Sequence, residues 1–150
     1  MAARVTKDKY EAMKGFFLWY CRDRLSPMHD KIDLSPEERP DAVMRSLEQK
    51  SLAIAREGLR MAIGDIIEET QYLGRDEVDR VDAALAAEGL PTLSQVRIEF
   101  WAKISGIIKR GKVRSETEYY ALRNVVESML EPDQSKAWSF LEEFESRKAN

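Results

Sequence analysis

Histidine and cysteine are nearly missing from this chain, which holds one of each, His29 and Cys21. A single cysteine cannot close an internal disulfide, so the fold must stand on packing alone and a reducing, cytoplasmic setting is expected. With a single histidine there is no His-x-x-x-His pair, and no Glu-x-x-His spacing accompanies it, so helical metal sites of those kinds are excluded. His29 stands in "SPMHDKID" beside Asp30 and near Asp33, and a solvated loop histidine is the expectation. Glycine and proline are scarce too, at 7 and 5 of 150 residues, which predicts long elements with few breaks. The two glycines of "REGLRMAIGD" lie inside a helical pattern rather than after a strand, so no phosphate-cradling loop is present.

Long apolar runs are also lacking. The stretch "GFFLWYC" near the N-terminus is too short to cross a bilayer and is followed by no small-residue cleavage site, so neither a membrane partner nor a leader is expected. Nor is there a large excess of either charge. The net value is −3, which weighs against an extended nucleic-acid surface.

What is present is a globular mixture: 43% hydrophobic and 34% charged residues with both signs interspersed. A chain of this length fits one domain, residues 1–150, and can bury roughly 68–70% of its unfolded surface. Apolar residues recur at helical spacing almost throughout and no period-2 run appears, so the fold expected is all-α, a bundle of about six helices. The first runs from about Thr6 to Leu25, with Tyr10, Met13, Phe16, Phe17, Tyr20 and Cys21 inward. "SPEERP" opens with a capping box on Ser35, and Pro40 limits it to one turn or a kinked entry. From about 41 to 73 the pattern predicts one long central helix, roughly 50 Å if straight, with a bend near Gly58 or Gly64. Its apolar circumference is broad enough to call for cover from a partner or a second copy. A short helix capped by Asp76 ends at Gly89. "TLSQ" then caps a helix from 92 to Arg110, and Ser115 caps another to about Leu130. The last follows Pro132, with Ala137, Phe140, Leu141 and Phe144 on one face.

Three sets of residues stand out. Lys109, Arg110, Lys112 and Arg114 crowd round Gly111. Two of them fall in the last turn of a helix, where cations complement its dipole. The alternative is that all four converge on the phosphates of a nucleic acid. Glu116 and Glu127 on the following helix would repel a phosphate backbone, so the structural reading is preferred.

Arg97 falls inside the apolar face of the 92–110 helix, flanked by Phe100, Trp101 and Ile104. A buried guanidinium needs a carboxylate, a carbonyl or a path to water, and Asp65 or Glu69 on the long helix is the expected partner. Trp19, Tyr120 and Trp138 project off the apolar faces of their helices, with Arg123 beside Tyr120. Exposed Trp, Tyr and Arg are the residue types that dominate binding hot spots.

No nucleophile, acid–base pair or cofactor motif accompanies these sets. Cys21 reads as a small core residue, and the adjacent pairs Glu68–Glu69 and Glu142–Glu143 diverge around their helices. The sequence therefore predicts a non-catalytic helical module that binds a protein partner or a second copy of itself. Nucleic-acid binding through 109–114 is the alternative. Size, acidity and helical class suit a bacterial immunity or antitoxin-like protein, or an adaptor.

Overall fold

Two single residues in extended backbone geometry divide what the apolar periodicity presents as two long helices. The computed structural model describes residues 4–22 and 35–149, and every described element is helical. After a 3-10 turn at Lys7–Lys9 come α1 (Tyr10–Arg22), a 3-10 turn at Pro36–Glu38, α2 (Pro40–Lys50) and α3 (Leu52–Thr70). Then follow α4 (Arg75–Ala87), α5 (Leu93–Phe100), α6 (Ala102–Arg110), α7 (Glu116–Arg123), a 3-10 turn at Val126–Ser128, and α8 (Asp133–Ala149). The all-α class is as expected, with eight α-helices among the described residues rather than about six.

The predicted 41–73 helix is broken, and not at a glycine. Ser51 takes φ −173° and ψ 138°, and its hydroxyl accepts hydrogen bonds from the amides of Ala53 and Ile54. A serine that caps a new helix stops the old one, because its oxygen satisfies amides that a continuing helix would bond to carbonyls. The 92–110 helix divides at Trp101, at φ −87° and ψ 112°. Its amide still donates to the Arg97 carbonyl at 3.0 Å, and its own carbonyl accepts from Ile104 and Ser105 at 3.1 and 3.2 Å. The bend therefore leaves this backbone bonding intact. The helix expected to reach Leu130 stops at Arg123, ahead of Asn124 and the pair Val125–Val126; β-branched residues are poorer helix formers.

Other signals act as read. Thr92 and Gln95 form the reciprocal capping box. Gly89 (φ 72°) ends α4 with Leu90 N–H donating to the Leu85 carbonyl and Gly89 N–H to that of Ala86, a Schellman closure. The capping box expected on Ser35 does not form: its hydroxyl caps no backbone amide and instead donates to the Glu38 carboxylate at 2.6 Å. Helix α4 begins at Arg75, so Asp76 sits within its first turn instead of capping it.

The chain groups into two compact units with interleaved segments: Arg4–Tyr72 with Leu85–Pro91, and Leu73–Ala84 with Thr92–Asn150. In the first, α1, α2 and α3 pack on one another and bury Met13, Phe16, Met44, Leu59 and Ile63. Phenol–carboxylate bonds pin α1 to its neighbours: Tyr10 donates to Glu48 of α2 at 2.7 Å, and Tyr20 to Glu69 of α3 at 2.5 Å.

Lys14 also bonds Glu48, at 2.8 Å, and these two donors hold the Glu48 carboxyl below the ordinary glutamate range. Because the folded value is depressed, the associated stability is present above the usual glutamate pKa and is lost as pH falls through the folded one. Glu48→Gln should therefore lower the neutral plateau of the melting temperature slightly and flatten the acid limb, because the variant lacks the stability that acid removes from the wild type. An unchanged acid limb would show that Glu48 takes no part.

In the second unit the core is formed by Ile104 and Ile107 of α6, Val113, Leu122 of α7, Val125, Val126, and Ala137 and Leu141 of α8. This core fixes the relative placement of α6, α7 and α8, and so the surface described next.

Candidate functional site

Helix α7 is short and held at both ends. Ser115 accepts from the Glu118 amide at its start, and its last turn is tied to α4, where Arg75 donates to the Arg123 carbonyl at 3.3 Å and pairs with Glu127. Its inner face, Ala121 and Leu122, lies on α8 through Ala137 and Leu141. The outer edges of the two helices carry a row of aromatic rings. Tyr119 stacks on Phe144 at 5.4 Å, Tyr120 meets Tyr119 edge-on at 5.2 Å, and the Tyr119 hydroxyl donates to Glu145. That bond to a carboxylate, with partial burial, raises the Tyr119 pKa.

One turn along α7, the Arg123 guanidinium lies 5.1 Å from the centre of the Trp138 ring. Arg123 also reaches Glu127 at 3.7 Å. Tyr120 is 60% exposed and Trp138 36%, and Leu130, just before α8, is 84% exposed. Three of the four residues singled out as partner contacts, Tyr120, Arg123 and Trp138, thus lie on one α7–α8 surface. Leu130 was missed because the predicted helix to residue 130 hid the turn that turns it outward.

Trp19 does not join them. It is 4% exposed, within the buried set of α1 alongside Phe16 and Tyr20. Its indole N–H has no hydrogen-bond partner among the described residues. A narrow amphipathic stripe would leave Trp19 outside, but the buried arc of α1 runs from Tyr10 to Trp19, about half the circumference.

No family model matches this sequence, and no curated protein or solved structure matches it.

Arg97 is buried, at 1% exposure, and its guanidinium lies 5.6 Å from the Trp101 ring. Burial lowers its pKa and the charge of Asp82 opposes that shift. Asp82 is itself held by Ser94, which donates its amide at 3.1 Å and its hydroxyl at 2.5 Å. The two acids expected to be buried with Arg97 are not buried. Asp65 and Glu69 are both exposed on α3, and Glu69 accepts the Tyr20 phenol. Ile54, Asp65 and Tyr72, which helical spacing sets on one side of α3 and its continuation, are all exposed. Asp82 was open to discovery, since it follows the buried Val78 by one turn of α4.

The basic turn is in part a structural clasp. Gly111 takes φ 80° and ψ 25° and bonds the Ile107 carbonyl at 2.8 Å, closing α6 in the left-handed conformation that favours glycine. Arg110 pairs with Glu118 at 2.7 Å and bonds the Lys112 carbonyl, and the same Glu118 oxygen takes the Arg114 amide. From α8, Arg147 donates to the Val113 carbonyl at 2.8 Å, and Lys148 pairs with Glu116. Lys109, Lys112 and Arg114 remain exposed.

Cys21 is half-buried, and burial pushes its thiol up to about 11, a protonated group of low reactivity at neutral pH. His29 lies outside the described residues. Among the described residues no cluster of His, Cys, Asp and Glu could hold a metal ion, and no helix is long and apolar enough to cross a membrane.

Proposed function

We propose that the chain is a non-catalytic protein-interaction module whose contact surface is the α7–α8 face built from Tyr120, Arg123 and Trp138. The observation that supports this most is the Arg123 guanidinium over the half-exposed Trp138 ring at 5.1 Å, with Tyr120 one turn away at 60% exposure. Such a pair is pre-ordered. A cation already seated on an aromatic face loses little side-chain freedom when a partner covers it. Beneath this surface, Leu122, Ala137 and Leu141 are buried in one core shared by α7 and α8. In size and acidity the chain suits a cytoplasmic bacterial protein that neutralises a toxin or adapts one assembly to another.

The test is affinity capture from native lysate, with and without nuclease, using the wild-type chain, Tyr120→Ala and Trp138→Ala. One protein retained after nuclease and lost with either variant is the expected result. Retention indifferent to both variants would defeat the proposal. The exposed Lys109, Lys112 and Arg114 favour a second reading, binding of nucleic acid through the 109–114 turn. Capture that disappears with nuclease, together with an affinity that falls steeply with salt, would select it.

A further inference from the structure

The outward face of α3 offers a second surface with a definite charge. At about 100° per residue, Ile54, Glu57, Gly58, Met61, Gly64, Asp65 and Glu68 share one arc of the helix. Ile54 is 49% exposed and Met61 59%, and Tyr72, two residues beyond the helix, is 87% exposed. Gly64 has open space above it, and at Gly58 the neighbouring volume is taken by Leu47 of α2, which closes one side. The result is a low strip with apolar knobs one heptad apart, the spacing at which an approaching helix meets its partner.

The charges on this arc decide what fits it. Three carboxylates lie there and no cation. Glu57 is matched by Arg60 at 2.6 Å, whereas Asp65 and Glu68 are exposed and no ion pair engages either among the described residues. A second copy of the chain is a poor occupant. Laid parallel, each acid would face itself, and laid antiparallel about Met61, Asp65 would meet Glu57, which Arg60 already engages, while Glu68 would meet the apolar Ile54. Nucleic acids and anionic bilayers would be repelled in the same way. An apolar stripe rimmed by lysine or arginine complements the face in both respects. We infer that the outer face of α3 is a docking site for a basic amphipathic segment of another protein. It uses none of the residues of the α7–α8 surface.

A phage-displayed library of random peptides, panned on the full-length chain, tests this directly. Enriched peptides should combine Lys or Arg with apolar residues at i, i+3 or i+4, and i+7. Their binding should weaken about tenfold or more on Met61→Ser, an exposed site whose replacement leaves the fold intact. The paired reversal Asp65→Lys with Glu68→Lys should enrich acidic peptides instead. Unchanged melting of both variants establishes that folding is not the cause. Tyr120→Ala and Trp138→Ala should leave peptide binding unaltered, so failure of either surface is read separately. Enrichment without basic residues, no enrichment over a blank surface, or indifference to Met61→Ser would overturn the inference. So would a dimer in sedimentation that Met61→Ser dissolves, since that would make a second copy the occupant.

Discussion

Trp19→Ala should remove about 3–5 kcal/mol of folding stability, the range for deleting a large aromatic side chain from a packed core. Stabilities of single domains run to about 5–15 kcal/mol, so the urea midpoint should drop by a large fraction while the slope stays nearly constant. At 4% exposure the Trp19 ring is fully packed, and a close-packed interior collapses only partly around the void that alanine leaves. A conservative control sharpens it. Trp19→Phe keeps most of the ring volume and deletes a buried N–H that has no hydrogen-bond partner among the described residues, so its loss should be much smaller. Tyr120→Ala, on the exposed surface, should stay within about 0.5 kcal/mol of wild type. If Trp19→Ala melted normally and lost only a partner, Trp19 would belong to a binding surface and the packing described for α1 would be wrong.

Arg97→Ala should cost a similar amount, about 3–5 kcal/mol, for different reasons. Arg97 heads the fully buried side chains by volume, so alanine leaves a void, and it also removes the charge that the Asp82 carboxylate favours and the guanidinium beside Trp101. Arg97→Lys separates these contributions. Lysine retains the charge near Asp82 but cannot present a flat, weakly hydrated group to the indole, and it is more strongly penalised by burial. It should fall between wild type and alanine in chemical denaturation. Should Arg97→Lys match wild type, charge alone would explain the site. Should Arg97→Ala be neutral, the guanidinium would have to be dispensable despite its burial.

Much of the local structure was legible because its causes are local. The Thr92–Gln95 box, the Gly89 and Gly111 stops and the Ser115 cap each depend on a few neighbouring residues and on backbone groups that must be satisfied wherever the helix lies. Ser51 carried the same kind of signal, but it sits in a strongly periodic apolar pattern that a single helix explains equally well. Trp101 carried none: "EFWAK" has no glycine, proline or capping residue. Its bend is set by what its ring packs against in the α6–α8 core and by Arg97 over that ring. Of the binding candidates, Tyr120, Arg123 and Trp138 could be named singly. Their meeting depends on how α7 lies on α8, and no spacing within one helix reports that.

By itself, then, the sequence determined an all-α chain. Helical periodicity, sparse glycine and proline, and caps at most boundaries leave a sheet no segment from which to form, and one cysteine with one histidine leaves no internal disulfide and no helical histidine-pair metal site. Only the tertiary structure decided how wide an arc of each helix is covered. That choice turned Trp19 into core, left Asp65, Met61 and Ile54 in solvent, gave Arg97 the charge of Asp82, and set Arg123 on Trp138. The physical reason is that burial belongs to pairs of elements. A helix wheel ranks positions by angle, but the width of the covered arc and the identity of a buried charge's counterpart depend on how many neighbours pack against the helix, and from which directions.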